Sequence, residues 1–387
     1  MLNFEFKNPT KIHFGKDTIS KLTTEIPQDK RILLLYGGGS IKSNGIYEKV
    51  LDALSGHQVV EFGGIPANPE YSILLQALDL IKEKNIDFLL AVGGGSVIDG
   101  TKFLAAAANY DGEPWEILTK PVRTFEGEAL AFASVLTLPA TGSEMNSGYV
   151  ISRRETQEKL SSGGPGLFPV FSILDPEVVR SIPQRQIANG IADAYTHVLE
   201  QYMTYPAGAL LQDRISEGIL LTLQEIAPSL LSKEFDYTAA SNFMWSCTMA
   251  LNGLIGKGVP TDWAVHGMGH ELTAQFGIDH ARTLAIVAPS HYRYNLQTKK
   301  DKLAQYAKRV WDLSGDDTEA LALQGIEKME SFFHSLGIDT RLSEYTKDFE
   351  GAAEKVKSAF EARGWKGQGE YRKLTPEDAQ KIVAMSY

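Results

Sequence analysis

Aspartate and histidine residues in the second half of the chain have the types and spacing of metal ligands. Asp193 and His197 are four residues apart in the run IADAYTHVLEQ, so a helix places both side chains on one face. Three more histidines follow, at His266, His270 and His280. A set of carboxylate and imidazole ligands without thiolates suits Fe(II), Zn(II) or Mn(II). The pattern therefore predicts a metal site, which is catalytic if a coordination position stays open.

Ordinary structural roles are the alternative for each of these residues. Asp193 and His197 alone are typical of a hydrogen-bonded pair on a helix, and a single histidine is more often a core or surface residue than a ligand. The concentration of candidates in one segment favours the metal. Spacing by itself prefers His266 and His270, which are four residues apart, and leaves the choice of ligands open. Trp263 precedes this segment and is interpreted as a core residue, with the wall of a substrate pocket as the alternative.

Two Gly-Gly-Gly-Ser sequences follow apolar runs in the first half of the chain, at 37–40 and 93–96. Glycines allow close approach of the backbone to a ligand, and the second sequence continues into a predicted helix. The N-terminus of a helix offers unpaired N–H groups and partial positive charge, which suit a pyrophosphate. Tight turns without a ligand are the alternative. Ile98 stands where the G-x-G-x-x-G fingerprint has its third glycine, so the loop is not an ordinary Rossmann motif.

The first glycine loop also indicates which dinucleotide is bound. An acidic residue at the end of the second strand usually holds the ribose of NAD and repels the 2′-phosphate of NADP. Here that place holds Gly-Gly-Gly-Ser, with Lys42 two residues further on. Because no carboxylate opposes a phosphate there, the sequence predicts NADP rather than NAD.

The elements that must position these residues divide the chain into two halves. Apolar runs predict strands at 31–37, 57–63, 87–93, 132–139 and 171–176. Amphipathic helical segments such as 47–54 and 71–84 alternate with them, as in a parallel sheet covered on both faces. The second half has a helical period throughout, and Gly277 and Pro289 are expected to end helices. We predict a Rossmann-like α/β dinucleotide-binding domain over 1–177 and an all-helical metal- and substrate-binding domain over 178–387.

Composition excludes several classes of protein. The 387 residues include 38 Lys and Arg against 48 Asp and Glu, and the net charge of −10 argues against a nucleic-acid partner. The first residues lack the apolar segment of a secretory signal, and no stretch approaches the roughly 20 apolar residues of a membrane span. We expect a cytoplasmic protein without a membrane partner. The single cysteine, Cys247, excludes an intrachain disulfide and a cysteine-based metal site.

The order of these motifs resembles the iron-containing (group III) alcohol dehydrogenases, and especially their butanol dehydrogenase and NADPH-dependent aldehyde reductase branch. The motifs are GGGS, GGGSVID, LPATGSE, DAYTH and HGMGHELTAQFGIDH. The resemblance runs from NPTKIHFGK near the start of the chain to LTPEDAQKIV near its end. The Asp-x(3)-His pair with the later His-x(3)-His-x(9)-His run is specific to this family, whereas GGGS alone is not. The resemblance implies a dehydroquinate synthase-like two-domain fold and a homodimer.

The activity that the resemblance implies is NADP(H)-linked alcohol dehydrogenase or aldehyde reductase activity. Hydride would pass between the nicotinamide C4 and the carbonyl carbon of a small aldehyde, with Fe²⁺ or Zn²⁺ polarising the substrate oxygen. The implied metal ligands are Asp193, His197, His266 and His280. The resemblance places His270 beside nicotinamide and substrate, where it relays a proton or only orients the site.

The resemblance also implies which residues bind the cofactor. For the pyrophosphate they are Gly94, Gly95, Ser96 and Asp99. For the adenosine end they are Gly38, Gly39, Ser40 and Asn68. For the rest of the groove they are Thr137, Thr141, Asn146, Gly148 and Lys159.

Two rival functions use the same features. A dehydroquinate synthase-like lyase would regenerate its nicotinamide cofactor within each turnover and would need a basic pocket for a substrate phosphate. The sequence has no Lys/Arg cluster beside Asp193 or His266, which argues against that reaction. A non-catalytic nucleotide-binding protein is the second rival, and the complete Asp/His set argues against it.

Overall fold

The computed structural model describes residues 1–119 and 124–387. They form two compact units. The sheet unit comprises Lys7–Pro183 and Phe235–Thr248. The helical unit comprises Met1–Phe6, Gln184–Glu234 and Met249–Tyr387. Each candidate site described below lies within one unit.

The sheet unit is built on a parallel sheet. Its strands are β1 (Lys11–Phe14), β2 (Arg31–Tyr36), β3 (Gln58–Phe62), β4 (Phe88–Gly94), β5 (Ala131–Leu138), β6 (Gly148–Arg153), β7 (Glu158–Gly163) and β8 (Phe171–Leu174). The six-stranded sheet has the order β1-β8-β5-β4-β2-β3, and β6 pairs with β7 as an antiparallel hairpin. Every neighbouring pair in the six-stranded sheet is parallel. Four consecutive residues of β2, Ile32 to Leu35, are buried, because both faces of the sheet are covered.

The helices are bounded as follows, in chain order. In the sheet unit they are α1 (Leu22–Glu25), α2 (Ser40–Ser43), α3 (Ile46–Ala53), α4 (Tyr71–Glu83), α5 (Gly95–Ala107) and α6 (Glu116–Thr119). The later helices are α7 (Gln184–Tyr202), α8 (Leu210–Leu230), α9 (Tyr237–Leu251), α10 (Ala264–Phe276), α11 (His280–Tyr294), α12 (Leu296–Val310), α13 (Thr318–Ser335), α14 (Ala352–Ala362) and α15 (Pro376–Ala384). Most of α9 belongs to the sheet unit.

The fold class predicted from the sequence, a parallel α/β sheet followed by a helical region, is confirmed. The five predicted strands correspond to β2, β3, β4, β5 and β8. The prediction omitted β1, which adds a sixth strand at the edge beside β8, and the hairpin of β6 and β7. Within the described residues, none of the helices has both the length and the apolarity that crossing a membrane requires.

Of the two residues predicted to end helices in the helical unit, Gly277 does so and Pro289 does not. Gly277 ends α10 in the left-handed conformation, with φ 67°, as predicted. Pro289 was expected to end a helix, and that prediction is wrong because α11 continues through it to Tyr294. A proline removes one backbone hydrogen bond from a helix. Here residues 281 to 292 are all buried, so packing on every side of α11 compensates for that loss.

Candidate metal centre and dinucleotide-binding loops

Helix α7 provides two candidate ligands on one buried face. Asp193 and His197 are one turn apart and are 3% and 5% exposed. The nearest approach between them is 3.8 Å, from Asp193 Oδ1 to His197 Nδ1. Neither of these two atoms has a hydrogen-bond partner within the part of the chain that the structure describes. Buried polar atoms without partners are costly, and a shared cation would satisfy both.

Helices α10 and α11 bring three more imidazoles to this face. His266 lies in the first turn of α10 and is buried, whereas His270, one turn later, is partly exposed. His280 is the first residue of α11, just after the turn at Gly277. The rings of His197 and His266 stack with centroids 4.5 Å apart, and His280 lies 5.4 Å from His266. The structure therefore gathers residues that are up to 87 positions apart in the sequence.

Three of the predicted ligands fit a single metal ion. Asp193, His266 and His280 each offer a ligand atom, and these atoms all lie within 4.8 Å of one another. Two ligand atoms of one tetrahedral zinc ion, each about 2.1 Å from the metal, are about 3.4 Å apart, so a small inward movement of these side chains would complete a bound arrangement. His197 is outside this group of three, but its ring is stacked on His266. His270 is also outside it, with its ring 4.7 Å from His280.

The protonation state of His197 suits a ligand. Burial lowers the pKa of His197 to about 4, although the Asp193 carboxylate acts in the opposite direction. The imidazole is therefore neutral at pH 7. An imidazole that binds a metal must be neutral, because the cation binds the lone pair that a proton would occupy.

Glu200 lies on the same face of α7, seven residues after Asp193 and three after His197. Its carboxylate is hydrogen-bonded to the ring Nδ1 of His266 and accepts hydrogen bonds from the backbone N–H groups of Val265 and His266. Glu200 is absent from the residues predicted from the sequence. Helical spacing from Asp193 and His197 was the signal that could have identified it.

A buried ionic network surrounds Glu200. Asp262 Oδ2 accepts a hydrogen bond of 2.8 Å from Lys299 Nζ and lies 3.4 Å from His291 Nε2. Burial opposes ionisation of Asp262, but His291 and Lys299 outweigh it and lower the pKa of that carboxyl. Burial and the charge of Asp262 raise the pKa of Glu200, against the effect of His291 and the two backbone donors. A cation held by the neighbouring histidines would also favour the ionised form of Glu200.

Trp263 has an unusual backbone for a large side chain. It precedes α10 with φ 64°, in the left-handed region that favours glycine. Its ring packs edge-on against two imidazoles, with centroids 5.4 Å from His266 and 6.3 Å from His197. Strained residues of this kind are common at functional sites. The partly exposed indole therefore borders the candidate metal site and does not lie wholly in the core.

In the sheet unit, the second glycine loop joins β4 to α5. A Cβ at Gly94 would lie 2.9 Å from Leu138 Cβ, and one at Gly95 would lie 2.5 Å from Thr141 Oγ1. The backbone therefore passes too close to its neighbours for a side chain. The hydroxyl of Ser96, in the first turn of α5, accepts a hydrogen bond of 3.2 Å from the backbone N–H of Asn68.

The first glycine loop joins β2 to the short helix α2. A Cβ at Gly38 or Gly39 would meet no atom within 4 Å, and Gly38 and Ser40 are exposed. Lys42 lies 3.8 Å from the carboxylate of Glu61 and 4.9 Å from the ring centroid of Tyr36. This lysine, noted in the sequence beside the predicted phosphate position, is thus partly neutralised by a carboxylate from β3.

The other predicted cofactor residues form two hydrogen-bonded groups. Lys159 Nζ donates to Asn68 Oδ1 at 2.8 Å, which links β7 to the Ser96 loop. Asp99 accepts bonds from Ser143 Oγ at 2.6 Å and from the backbone N–H of Val150 at 2.9 Å. Thr137 and Thr141 lie at the end of β5 and in the loop that follows it.

Lys102 connects the second of these groups and was not predicted. Its buried ammonium donates to Ser143 Oγ, to Asn146 Oδ1 at 2.9 Å and to the carbonyl of Gly148 at 2.8 Å. Burial lowers the pKa of Lys102 to about 8, although Asp99 favours its charged form. In the sequence, the only indication of this role is that Lys102 lies among the small and apolar residues of α5.

A parallel α/β unit with glycine loops at the ends of its strands, and a helical unit with converging aspartate and histidine ligands, define a metal-dependent nicotinamide oxidoreductase. Comparison with known proteins agrees. The model of the iron-containing alcohol dehydrogenases matches residues 9–176, and the model of the C-terminal region of the Fe-containing alcohol dehydrogenase family matches 187–387.

Individual relatives align over the whole chain. The NADPH-dependent aldehyde reductase YqhD of Escherichia coli is 48% identical over 385 residues, which cover 99% of each chain. A probable NADH-dependent butanol dehydrogenase of Bacillus subtilis is 42% identical over all of both chains. A crystal structure of E. coli YqhD superimposes with a TM-score of 0.97 at 46% identity, covering 100% of this chain and 99% of the other.

The chain belongs to the iron-containing alcohol dehydrogenase family. The resemblance seen in the sequence and the predicted enzyme class are thereby confirmed.

Proposed function

We propose that this chain is a metal-dependent, NADPH-linked aldehyde reductase that also catalyses the reverse alcohol oxidation. The observation that carries the proposal is the convergence of Asp193, His266 and His280 in a member of this family. The 48% identity to an NADPH-dependent aldehyde reductase supports the direction and the cofactor.

The proposed metal ligands are Asp193, His197, His266 and His280. When bound, a divalent cation supplies Lewis acidity to a substrate oxygen, and the nicotinamide supplies the hydride. The buried imidazole of His197 contributes a neutral donor, since its pKa is well below 7. Asp193 contributes negative charge that offsets the charge of the cation. Iron is the proposed resident metal because of the family, and zinc is the alternative for the same ligands.

We assign His270 to proton transfer. Its ring lies 4.7 Å from His280 and 6.2 Å from His266, and it is more exposed than His266. Reduction of a carbonyl leaves an alkoxide that must take up a proton, and imidazole exchanges protons near neutral pH. A His270→Asn variant that keeps the full rate and pH profile would limit His270 to orienting the site.

We propose NADP(H) as the cofactor because the loop around Ser40 presents small, exposed residues where a 2′-phosphate needs room. The pyrophosphate is assigned to the bare backbone of Gly94 and Gly95, with Ser96 and Asp99 at the start of α5. The remaining assignments follow the predicted set: Gly38, Gly39, Asn68, Thr137, Thr141, Asn146, Gly148 and Lys159. Because another relative is named as an NADH-dependent butanol dehydrogenase, the assay compares NADPH with NADH.

We also propose that the protein is a cytoplasmic homodimer, and that each chain has two domains, 1–177 and 178–387. The extended N-terminal segment of the helical unit exposes large apolar side chains at alternate positions, Leu2, Phe4 and Phe6, each at least 44% exposed. Exposed apolar groups of this size commonly mark a surface that another chain covers. Sedimentation of the wild type and a Phe4→Ser variant would test the dimer.

The test of the proposed function combines metal analysis with an assay. Protein purified without added metal is expected to hold about one equivalent of iron or zinc and to oxidise NADPH stoichiometrically with a small aldehyde, faster than NADH. Turnover without net consumption of NADPH would indicate the lyase. Protein that holds no metal and shows no turnover would indicate a nucleotide-binding protein without catalytic activity.

A further inference from the structure

Glu200 is fully buried on the face of α7 that carries Asp193 and His197. We propose that Glu200 is a positioning residue for the metal: its carboxylate fixes the ring of His266 so that Nε2 is the atom presented to the ion. This inference rests on the proposed function and adds a residue outside the predicted ligand set.

The hydrogen bonds of His266 determine which nitrogen is available. Its Nδ1 is bonded to Glu200, and a neutral imidazole has one N–H donor and one acceptor nitrogen. If Nδ1 carries the hydrogen, the lone pair is on Nε2. Carboxylates that accept this second N–H of a metal-binding histidine fix its tautomer and make it a stronger ligand.

Two hydrogen bonds from backbone N–H groups fix the position of the Glu200 carboxylate. Its Oε1 accepts the N–H of Val265 at 2.7 Å, and its Oε2 accepts the N–H of His266 at 3.2 Å. Main chain and ring of the same histidine are thus bonded to one carboxylate from a neighbouring helix. Rotation of the ring would break the bond to Nδ1 while the two backbone bonds keep Glu200 in place.

The same contacts allow a purely structural role, because Glu200 also satisfies the first N–H groups of α10. Trp263, at the N-cap, forms no side-chain cap, and Asp262 Oδ1 accepts the N–H of Ala264 at 3.0 Å. Loss of this capping alone predicts lower stability without a selective change at the metal. The two roles therefore differ in what happens to metal affinity and to the spectrum of the bound metal.

The test compares Glu200→Gln with Glu217→Gln. Glu217, on α8, is also a buried carboxylate with several donors, including Tyr202 and Arg309, and it has no bond to a candidate ligand among the described residues. Metal-depleted proteins are titrated with Co²⁺ in competition with a chelator, and the visible absorption of the bound Co²⁺ is recorded. Unfolding by urea is measured on the same metal-depleted samples.

We expect Glu200→Gln to weaken Co²⁺ binding about 10- to 100-fold and to change the Co²⁺ spectrum. We expect Glu217→Gln to bind Co²⁺ within twofold of the wild type with an unchanged spectrum. Wild-type affinity and spectrum in Glu200→Gln, or an equal loss in Glu217→Gln, would overturn the inference. A wild type that takes up no Co²⁺ would instead overturn the proposed function, and the inference with it.

A second variant covers the case in which Glu200→Gln does not fold. Glu200→Asp keeps the charge and withdraws the carboxylate by one C–C bond. It is expected to bind Co²⁺ more weakly than the wild type and Glu217→Gln do, but with less than the roughly 10- to 100-fold loss expected for Glu200→Gln. Its Co²⁺ spectrum should be shifted. A wild-type spectrum in Glu200→Asp would overturn the positioning role.

Discussion

The two candidate sites of this protein use the chain in opposite ways. In the sheet unit, the junction of β4 and α5 requires glycine, which has no side chain. A Cβ at Gly95 would lie 2.5 Å from Thr141 Oγ1. In the helical unit, the candidate metal site depends on buried donor side chains, including Asp193 and His197, which approach within 3.8 Å. One site presents backbone, and the other presents nitrogen and oxygen atoms of side chains.

Because of this difference, a substitution by alanine has opposite physical effects in the two units. At a loop glycine, alanine adds an atom and disturbs the packing of the backbone. At a candidate ligand, alanine removes the donor and leaves its neighbours without a shared partner.

Removing a donor from the helical unit should have the largest effect. His266→Ala and His280→Ala are each expected to lose the bound metal and to lower kcat/KM at least about 100-fold, because a Lewis acid contributes several kcal/mol. Metal analysis and steady-state assays check this, with NADPH binding as a measure of an intact sheet unit. His334→Ala, on α13, is the matched control and should keep metal and activity. Metal retained in both variants would refute the ligand assignment.

Acid should destabilise the metal-free protein through His197. Its pKa is about 4 in the fold against a usual value of 6.5, so between these pH values the unfolded chain binds a proton that the folded chain excludes. The contribution of His197 to the free energy of unfolding is therefore at its maximum above pH 6.5. It decreases by about 3 kcal/mol as the pH falls to 4. Urea denaturation across this range should show a smaller fall in His197→Asn. Parallel profiles would show that His197 does not titrate in this way.

Adding an atom to the sheet unit should have a smaller effect, and only where the backbone is crowded. Gly95→Ala is expected to lower the free energy of unfolding by about 1–3 kcal/mol. Gly38→Ala is the control, because its Cβ meets nothing within 4 Å, and it should change stability by less than about 0.5 kcal/mol. Equal stability of the two variants in urea would contradict the crowding seen at Gly95.

A charge beside the first glycine loop should have the smallest effect. Ser40→Asp is expected to raise the Kd of NADPH about tenfold relative to that of NADH, since an exposed carboxylate repels a 2′-phosphate through screening solvent. Ser20→Asp adds the same charge at an exposed residue outside the predicted set and serves as the control. An unchanged preference in Ser40→Asp would remove the basis for choosing NADP.

Much of the fold followed from local patterns. The buried strands β2 and β4 are continuous apolar runs, and the glycines at their ends mark the turns. The strand β1 is only four residues long and has no fully buried position, so its pattern is too weak to detect. Pro289 was misjudged because a local rule for helix ends does not include the packing that surrounds α11.

The candidate sites depend more on contacts between distant residues. Helical spacing predicted that Asp193 and His197 share a face, yet it favoured His270 over His280 as the neighbour of His266. The structure instead groups His280 with Asp193 and His266, because the turn at Gly277 starts a new helix at that histidine. That placement came from the resemblance to a family, not from spacing.

Residues that hold the sites in place were the ones the sequence did not reveal. Lys102 bonds to Asn146, 44 positions away, and Glu200 bonds to His266, 66 positions away. Such pairs have no period in the sequence. They are defined only when the helices and loops that carry them pack together.

Anomalous scattering from crystals of the metal-loaded protein would show whether one metal ion is bound by Asp193, His197, His266 and His280. We predict a single strong peak per chain, with carboxylate oxygen and imidazole nitrogen atoms of these four residues about 2.0–2.2 Å from it. A fully loaded protein with its peak elsewhere, or with these side chains turned away from the ion, would contradict this ligand assignment.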